Sequence, residues 1–427
     1  MSIPIFNIIH IAGSALGSHS PDITADSIIF VYGEDPPAQY ERKTLQEELH
    51  AGAANAEVII ILSRQDDFSG AELSEALSIL PLNANPHELL LLTRHKNPPV
   101  FQQRMDGIVR SCIFTTDLVT DGLTITPGIT ENIIFDIVCK SLDNENPCSV
   151  NVHQFGKDAV QKNEAHNNHL TDSMLIVPHI GNTGLLHRCL NSLSRCHATP
   201  ASVNVCFDDD SSSGFDASAY TLPLALYANL PQDSGPYPAR HYSIVQSHTS
   251  YIFFNDSDDV STSNRFTKLM AALQERELDM IGSHEIRIDE FQRNIKLYRY
   301  PLDVNNALRN GSPHAHFHPT SLIRRSAYLK TGGFSTDLTF GYDTQFLLRA
   351  SLFIRIGNAD DFLYIRYKRP GSLTTNEKTK LGSRRREFLA WRWFTDYRLI
   401  LQQRISLQSS SLRVRNLASA FRLVPIS

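Results

Sequence analysis

Cysteine is scarce in this 427-residue chain: Cys112, Cys139, Cys148, Cys189, Cys196 and Cys206, with no C-x-x-C pair among them. A disulfide-stapled scaffold is thereby excluded, since a chain this long needs no staples, and free thiols in a reducing cytoplasm are expected. Long apolar runs are missing too. The longest, at 58–62 and 89–92, fall far short of the ~20 residues that cross a bilayer. Residues 1–13 hold no Lys or Arg ahead of their apolar stretch, which argues against a secretory signal. Nor is there an excess of positive charge: 40 Lys and Arg face 45 Asp and Glu, a formal net charge of −5. That total argues against a protein devoted to coating nucleic acid, and no nucleic-acid partner is expected. With 41% apolar and 20% charged residues the chain is neither disordered nor fibrous, and its length suits two or three domains.

What the sequence does contain is alternation. Through residue 145, apolar strand candidates at 6–12, 27–32, 57–62, 88–93 and 112–115 are interspersed with helix-like stretches at 43–54, 71–80 and 130–142. This pattern predicts an α/β, Rossmann-like domain whose mostly parallel sheet is covered on both faces. Its first loop, 12–17, contains glycines but neither G-x-G-x-x-G nor a P-loop, so it is only a weak phosphate signal. Residues 146–170 turn polar and read as a linker. A second α/β block follows over 171–375, with strands at 174–177, 202–207 and 250–254 and helices at 185–193 and 265–275.

Two acidic clusters each follow an apolar strand of this second block: Asp208-Asp209-Asp210, and Asp256 with Asp258 in Asn255-Asp256-Ser257-Asp258-Asp259. Ligands gather at the carboxyl edge of open α/β sheets, where loops and helix N-termini converge. Asp256-x-Asp258 suits a hard divalent cation such as Mg2+ or Mn2+. The plainer alternative is that these side chains cap helices and turns. Two clusters in this order favour a functional edge.

The ordered motifs resemble those of a family 2 glycosyltransferase. Val177-Pro178-His179-Ile180-Gly181-Asn182 with the following Leu186 and Cys189-Leu190 is similar to the family's first strand and helix. Phe207-Asp208-Asp209-Asp210-Ser211 resembles its nucleotide-binding stretch, and Gly235-Pro236-Tyr237-Pro238-Ala239-Arg240 the segment before its metal motif. Gly332-Gly333-Phe334 followed by Gly341-Tyr342-Asp343 resembles the family's Gly-Gly-Phe and catalytic acid. The resemblance implies a GT-A fold over 171–375 and direct displacement with inversion. It implies a nucleotide-sugar donor, with UDP favoured, and a glycan or lipid-linked acceptor in cell-surface polysaccharide synthesis. By the same resemblance Asp343 is the general base, Asp256 and Asp258 hold Mn2+ or Mg2+, and Pro178, Asn182, Asp208, Asp209, Asp210 and Arg240 bind the nucleotide. The resemblance also implies acceptor or diphosphate contacts at His318, Tyr342, Arg366, Lys368 and Arg369.

Two departures stand out. The first cluster has three aspartates and no glycine, leaving open whether Asp208-Asp209 or Asp209-Asp210 matches the family pair. Tyr342 occupies the place of a second acid beside the base. Separately, His314, His316 and His318 alternate, which predicts a strand with all three on one face, either binding a metal or lining the acceptor side.

The tail at 376–427 is unlike the rest: eleven basic and three acidic residues, a net of +8, with both tryptophans, Trp391 and Trp393. Its basic, aromatic helix either lies on an anionic membrane or packs its aromatics on the second domain. A cytoplasmic enzyme, peripheral at the membrane's inner face in the first case, is the expectation. Two rivals remain. A nucleotidyltransferase should carry a Gly-x-Gly-x-Arg loop, which 178–182 lacks; a non-catalytic scaffold should have lost carboxylates that are all present.

Overall fold

The computed structural model describes residues 7–11, 27–32, 58–63, 72, 75–76, 88–94, 96–100, 103–109, 111–115, 130–143, 149–155, 170–372, 375, 382–416 and 421–426. The loop at 12–17, the helix-like stretch 43–54, most of 71–80, Cys148 and most of 146–170 lie outside these residues; the expectation of a linker over 146–170 is corrected at Ser149–Phe155, which forms a strand paired in parallel with Glu88–Arg94. Contacts divide the chain into two units, Met1–Asn97 with Asp106–Val160 and Arg287–Leu297, and Pro98–Met105 with Gln161–Ile286 and Tyr298–Ser427.

The first unit contains β1 (Asn7–Ile11), β2 (Ser27–Tyr32), β3 (Val58–Ser63), β4 (Glu88–Arg94), β6 (Ser111–Thr115) and β7 (Ser149–Phe155), in the sheet order β1-β2-β3-β6-β4-β7. A further strand, β5 (Arg104–Ile108), precedes β6, and helix α1 (Thr130–Asp143) buries Ile134, Ile137, Val138 and Leu142. The expectation of a mostly parallel sheet is corrected here. β2–β3 and β4–β7 run parallel, but β1–β2, β3–β6 and β6–β4 run antiparallel. Periodicity reports that a strand is buried, not which way it runs. β6 enters between β3 and β4 with no crossover helix among the described residues since β4, the usual requirement for a parallel return.

The second unit is built on four parallel strands, β8 (Ser173–His179), β9 (Ser202–Phe207), β10 (Leu224–Leu230) and β11 (Tyr251–Phe254), adjacent in the order β11-β8-β9-β10. Strands β12 (Val260–Ser261), β13 (Met280–Asp289), β15 (Leu322–Arg324) and β16 (Ile356–Lys368) extend it beyond β11, with β11–β15, β13–β15 and β12–β16 antiparallel, so the sheet is mixed; β14 (Asn294–Arg299) follows β13 in the chain. Its helices are α2 (Thr183–Ser194), α3 (Pro236–Gln246), α4 (Arg265–Glu275), α5 (Val304–Arg309), α6 (Arg325–Lys330), α7 (Tyr342–Ala350) and α8 (Arg384–Leu401).

Met-Leu-Ile-Val in β8 is buried on both sides, as a central parallel strand requires. Met174 and Ile176 enter one core with α3, α7 and α8; Leu175 and Val177 enter the other with α2 and α4. α2 starts because the Asn182 carboxamide oxygen accepts the Gly184 N–H at 2.8 Å, and it buries Leu186, Cys189, Leu190 and Leu193 at helical spacing.

The tail is more than a helix. After α8 the chain returns as β17 (Arg422–Pro425), an antiparallel edge strand on β10 that the sequence pattern did not reveal. α8 turns Trp393 and Tyr397 into the core, Trp393 with its ring 6.0 Å from that of Tyr342. The interior residues also take up the tail's backbone: Gln345 Nε2 donates to the Ser411 carbonyl at 2.8 Å and Arg349 Nη1 to that of Leu412 at 2.9 Å. Trp393→Ala is expected to cost about 3–5 kcal/mol by opening a cavity beneath Tyr342, read as a lower midpoint in urea unfolding with an unchanged slope.

Candidate active site

The carboxyl ends of β8, β9 and β11 bring the predicted motifs to one edge. Asp208 is buried directly after β9, and its carboxylate accepts from Asn229 Nδ2 at 2.8 Å, Ser234 N–H at 3.1 Å and Gly235 N–H at 2.7 Å. Burial raises its pKa, against these three donors. Asp208 thus fastens the N-terminus of α3. Gly235, at φ 80°, is needed there, because a Cβ would lie 2.9 Å from the Thr339 Cα in the loop leading to Asp343.

Asp209 accepts from Gly181 N–H at 2.7 Å and Ser211 N–H at 3.0 Å, and also from the Ser211 hydroxyl. Partial burial pushes its pKa up, but these donors outweigh it and hold the carboxyl below its usual range. Asp210 is exposed and accepts from Gln232 Nε2 at 2.7 Å. Two of the three aspartates therefore hold loops, and Asp210 reaches outward. Asn182 serves as the α2 cap, and Pro178 is half-buried within β8.

After β11, the oxygens of Asp256, Asp258 and Asp259 lie within 4.8 Å of one another, the only such group among the described residues. Arg240 pairs with Asp256, and Arg369 Nη2 lies 2.8 Å from Asp258 Oδ2. Asp259 is buried and accepts the Tyr367 N–H at 2.9 Å. Burial, then the neighbouring Asp258 and Asp256 charges, push the Asp259 pKa well up; burial raises that of Asp256 in spite of Arg240. Beneath the loop, fully buried Arg265 donates to the Phe254 carbonyl at 2.6 Å, to that of Pro319 at 2.8 Å and to the Ser261 hydroxyl at 2.8 Å. Three hard oxygen donors on a pinned loop fit a divalent cation of the Mg2+ or Mn2+ kind.

Asp343 stands in the first turn of α7 and accepts from the Tyr237 hydroxyl at 3.2 Å. Burial, then the Asp343 charge, raise the Tyr237 pKa, so the phenol remains a donor. Tyr237 and Arg240 are one turn apart on α3, so a single helix touches both Asp343 and Asp256. Tyr342 is buried, donates to Asp337 and packs at 5.5 Å against Tyr237.

The strand expected for His314, His316 and His318 is not formed. Residues His318–Thr320 are a 3-10 turn, because Pro319 starts a helical turn and takes the ladder N–H away. His314 is exposed, and His316 bridges Asn358 at 2.8 Å and Ser321 at 2.7 Å. His318 is buried among Phe254, Phe334 and Phe346, with neither ring nitrogen hydrogen-bonded; burial, then Arg240, hold its pKa well below the usual value. The three do not converge. Arg366 lies 3.8 Å from buried Glu285 with its guanidinium over Phe317, and Lys368 is half-buried at the end of β16.

Asp259 and Tyr237 were missed as site residues in sequence. Asp259 stood beside its motif and looked redundant; Tyr237 meets its partner across 106 residues, which no local pattern discloses.

One helix thus joins a carboxylate cluster and a lone acid at a sheet edge. Residues 174–332 match the family model described as Glycosyl transferase family 2. No curated protein matches the chain. Among solved structures it is similar to S. aureus TarS 1–349 in complex with UDP-GlcNAc, at 19% identity and TM-score 0.43, over 53% of this chain and 66% of that one. It is also similar to the mannosyltransferase PcManGT from Pyrobaculum calidifontis in complex with GDP-Man and Mn2+, at 14% identity and TM-score 0.39, over 55% and 65%. The chain thus covers less than two thirds of either structure's length.

Mn2+ affinity is expected to fall on acidification, because protons compete with the cation for the carboxylates. Since Asp256 and Asp259 are raised in the folded chain, the loss begins above the ordinary carboxylate range of ~4. Calorimetric titrations between about pH 5 and 8 check this; a flat affinity would remove these acids as ligands.

Proposed function

We propose that the chain is an inverting glycosyltransferase that moves a sugar from a nucleoside diphosphate donor, with UDP-sugars the first to test, to a hydroxyl of a glycan or lipid-linked acceptor in cell-surface polysaccharide synthesis. The observation that carries this reading is the α3 bridge, with Tyr237 on Asp343 and Arg240 on Asp256. We assign transfer to residues 171–375 and none of it to 1–145.

In this reading Asp343 takes the proton of the acceptor hydroxyl as its oxygen bonds to the anomeric carbon. The bond from that carbon to the diphosphate breaks at the same time, and the electron pair leaves with the nucleotide. Attack from the opposite face inverts the centre without a covalent enzyme intermediate. Tyr237 orients the base by donating to it. Asp256, Asp258 and Asp259 would hold a Mn2+ or Mg2+ ion, which when bound supplies Lewis-acid neutralisation of diphosphate charge. Arg369 brings a guanidinium to the same edge, where it can meet phosphate oxygens.

A thermal-shift panel of nucleoside diphosphates and their sugars with Mn2+ identifies the donor, since ligands stabilise the native state by mass action. With that donor, Asp343→Asn should lower transfer by about 10²–10⁴-fold while nucleotide binding stays unchanged. Normal transfer by that variant removes Asp343 from the mechanism.

A further inference from the structure

Helix α8 has two unlike faces. One carries Trp393 and Tyr397 into the core, with Leu389, Phe394 and Ile400 packed beside them. On the opposite face, Arg384, Phe388, Trp391 and Arg398 recur at helical spacing, with Arg392 alongside. Phe388 is 56% exposed and Trp391 64%, and their ring centroids are 6.1 Å apart. They form an aromatic pair in water with arginines before and after it. Of the helix's two acids, Glu387 lies at its margin and Asp396 is turned away to accept the Ser411 N–H at 2.6 Å. Among the described residues, Arg384 and Arg392 are exposed and neither is paired with a carboxylate.

We propose that this face docks the protein on an anionic phospholipid bilayer, with Phe388 and Trp391 seated at the headgroup level and Arg384 and Arg392 on lipid phosphates. The chemistry selects that occupant. An indole and a phenyl ring project from a helix that is otherwise polar on this side, which suits the shallow apolar boundary of a bilayer. Guanidinium groups bind phosphates bidentately and tolerate partial desolvation better than ammonium groups do. The basic residues are spread along the helix rather than gathered at a point, matching a charged plane. The inference goes beyond the transferase reading and does not depend on it, because the face takes no part in the α3 bridge.

The test uses the full chain with vesicles of phosphatidylcholine alone and of equal parts phosphatidylcholine and phosphatidylglycerol. Sedimentation with only the anionic vesicles is expected. The double variant Phe388→Ala/Trp391→Ala and the double variant Arg384→Gln/Arg392→Gln should each weaken binding by about tenfold or more. All four positions are exposed, so an unchanged thermal midpoint checks that the fold is intact. The two tryptophans give a second readout: Trp391 emission should shift to the blue on anionic vesicles, and Trp391→Phe should abolish the shift while buried Trp393 still emits. Equal binding to both vesicle types, or binding untouched by the substitutions, overturns the proposal. So does concentration-dependent self-association that the Phe388→Ala/Trp391→Ala variant removes, since the face would then seat a second copy of the chain. None of these readouts requires a donor, an acceptor or turnover.

Discussion

The buried carboxylate of Asp208 is the constraint on which the catalytic edge depends. An ionised carboxylate only accepts, and Asp208 accepts from the Asn229 side chain and two successive backbone N–H groups, those of Ser234 and Gly235. The two backbone donors immediately precede α3, so the carboxylate sits at the helix N-terminus, where the dipole favours negative charge. With its start fixed against β9, α3 carries Tyr237 and Arg240 on one face at a separation of three residues. One contacts the acid on α7, the other the acid after β11. The distance between Asp343 and the carboxylate cluster is therefore set by a helix rather than by two loops. Gly235 lets this helix press against Thr339, and Trp393 supports the same loop from the tail, 3.3 Å or less from where a Gly341 Cβ would stand.

The same edge holds more negative charge than it would keep unaided. Three carboxylates within 4.8 Å of one another repel, and burial compounds the cost for Asp259. Arg240 arrives from α3 and Arg369 from the end of β16 to offset that repulsion, while Arg265 fixes the backbone beneath. Removing either guanidinium, the buried one of Arg240 or the half-buried one of Arg369, would leave a partly buried charge without its partner. Such an arrangement contributes little to stability; its value is a cluster of hard oxygens held ready.

How far this was legible in the sequence follows from the range of each interaction. Strands β2 and β9 and helix α4 could be bounded from the chain alone because their burial is written into consecutive residues. Strand direction in the first unit was not, since β6 carries the same apolar pattern whichever way it runs. The clustering of Asp256 and Asp258 was local, and so readable. The α3 bridge was not: Tyr237 and Asp343 are far apart in sequence, and a tyrosine beside two prolines has no feature marking it as the partner of Asp343. Alternation misled at His314, His316 and His318, where Pro319 turns the chain out of strand geometry. β17 escaped notice because an edge strand of four residues, Arg-Leu-Val-Pro, is half exposed and has no two-sided burial to display.

The net charge of −5 averages two opposed populations whose separation organises the second unit. Acids collect at the carboxyl edge, and arginines collect in the tail. α8 divides its own share between two tasks. Arg385 and Arg386 stack over the Phe340 ring at 5.2 and 4.9 Å, on the loop that leads to Asp343. Arg384 and Arg392 face water. Trp393 and Trp391, two residues apart, divide in the same way, one 4% exposed and the other 64%. An amphipathic helix normally places its aromatics on the buried side and its charges on the other. Here both residue types occur on both sides, so inward packing explains only half of the composition. The outward half has to be accounted for by what the helix meets outside the fold.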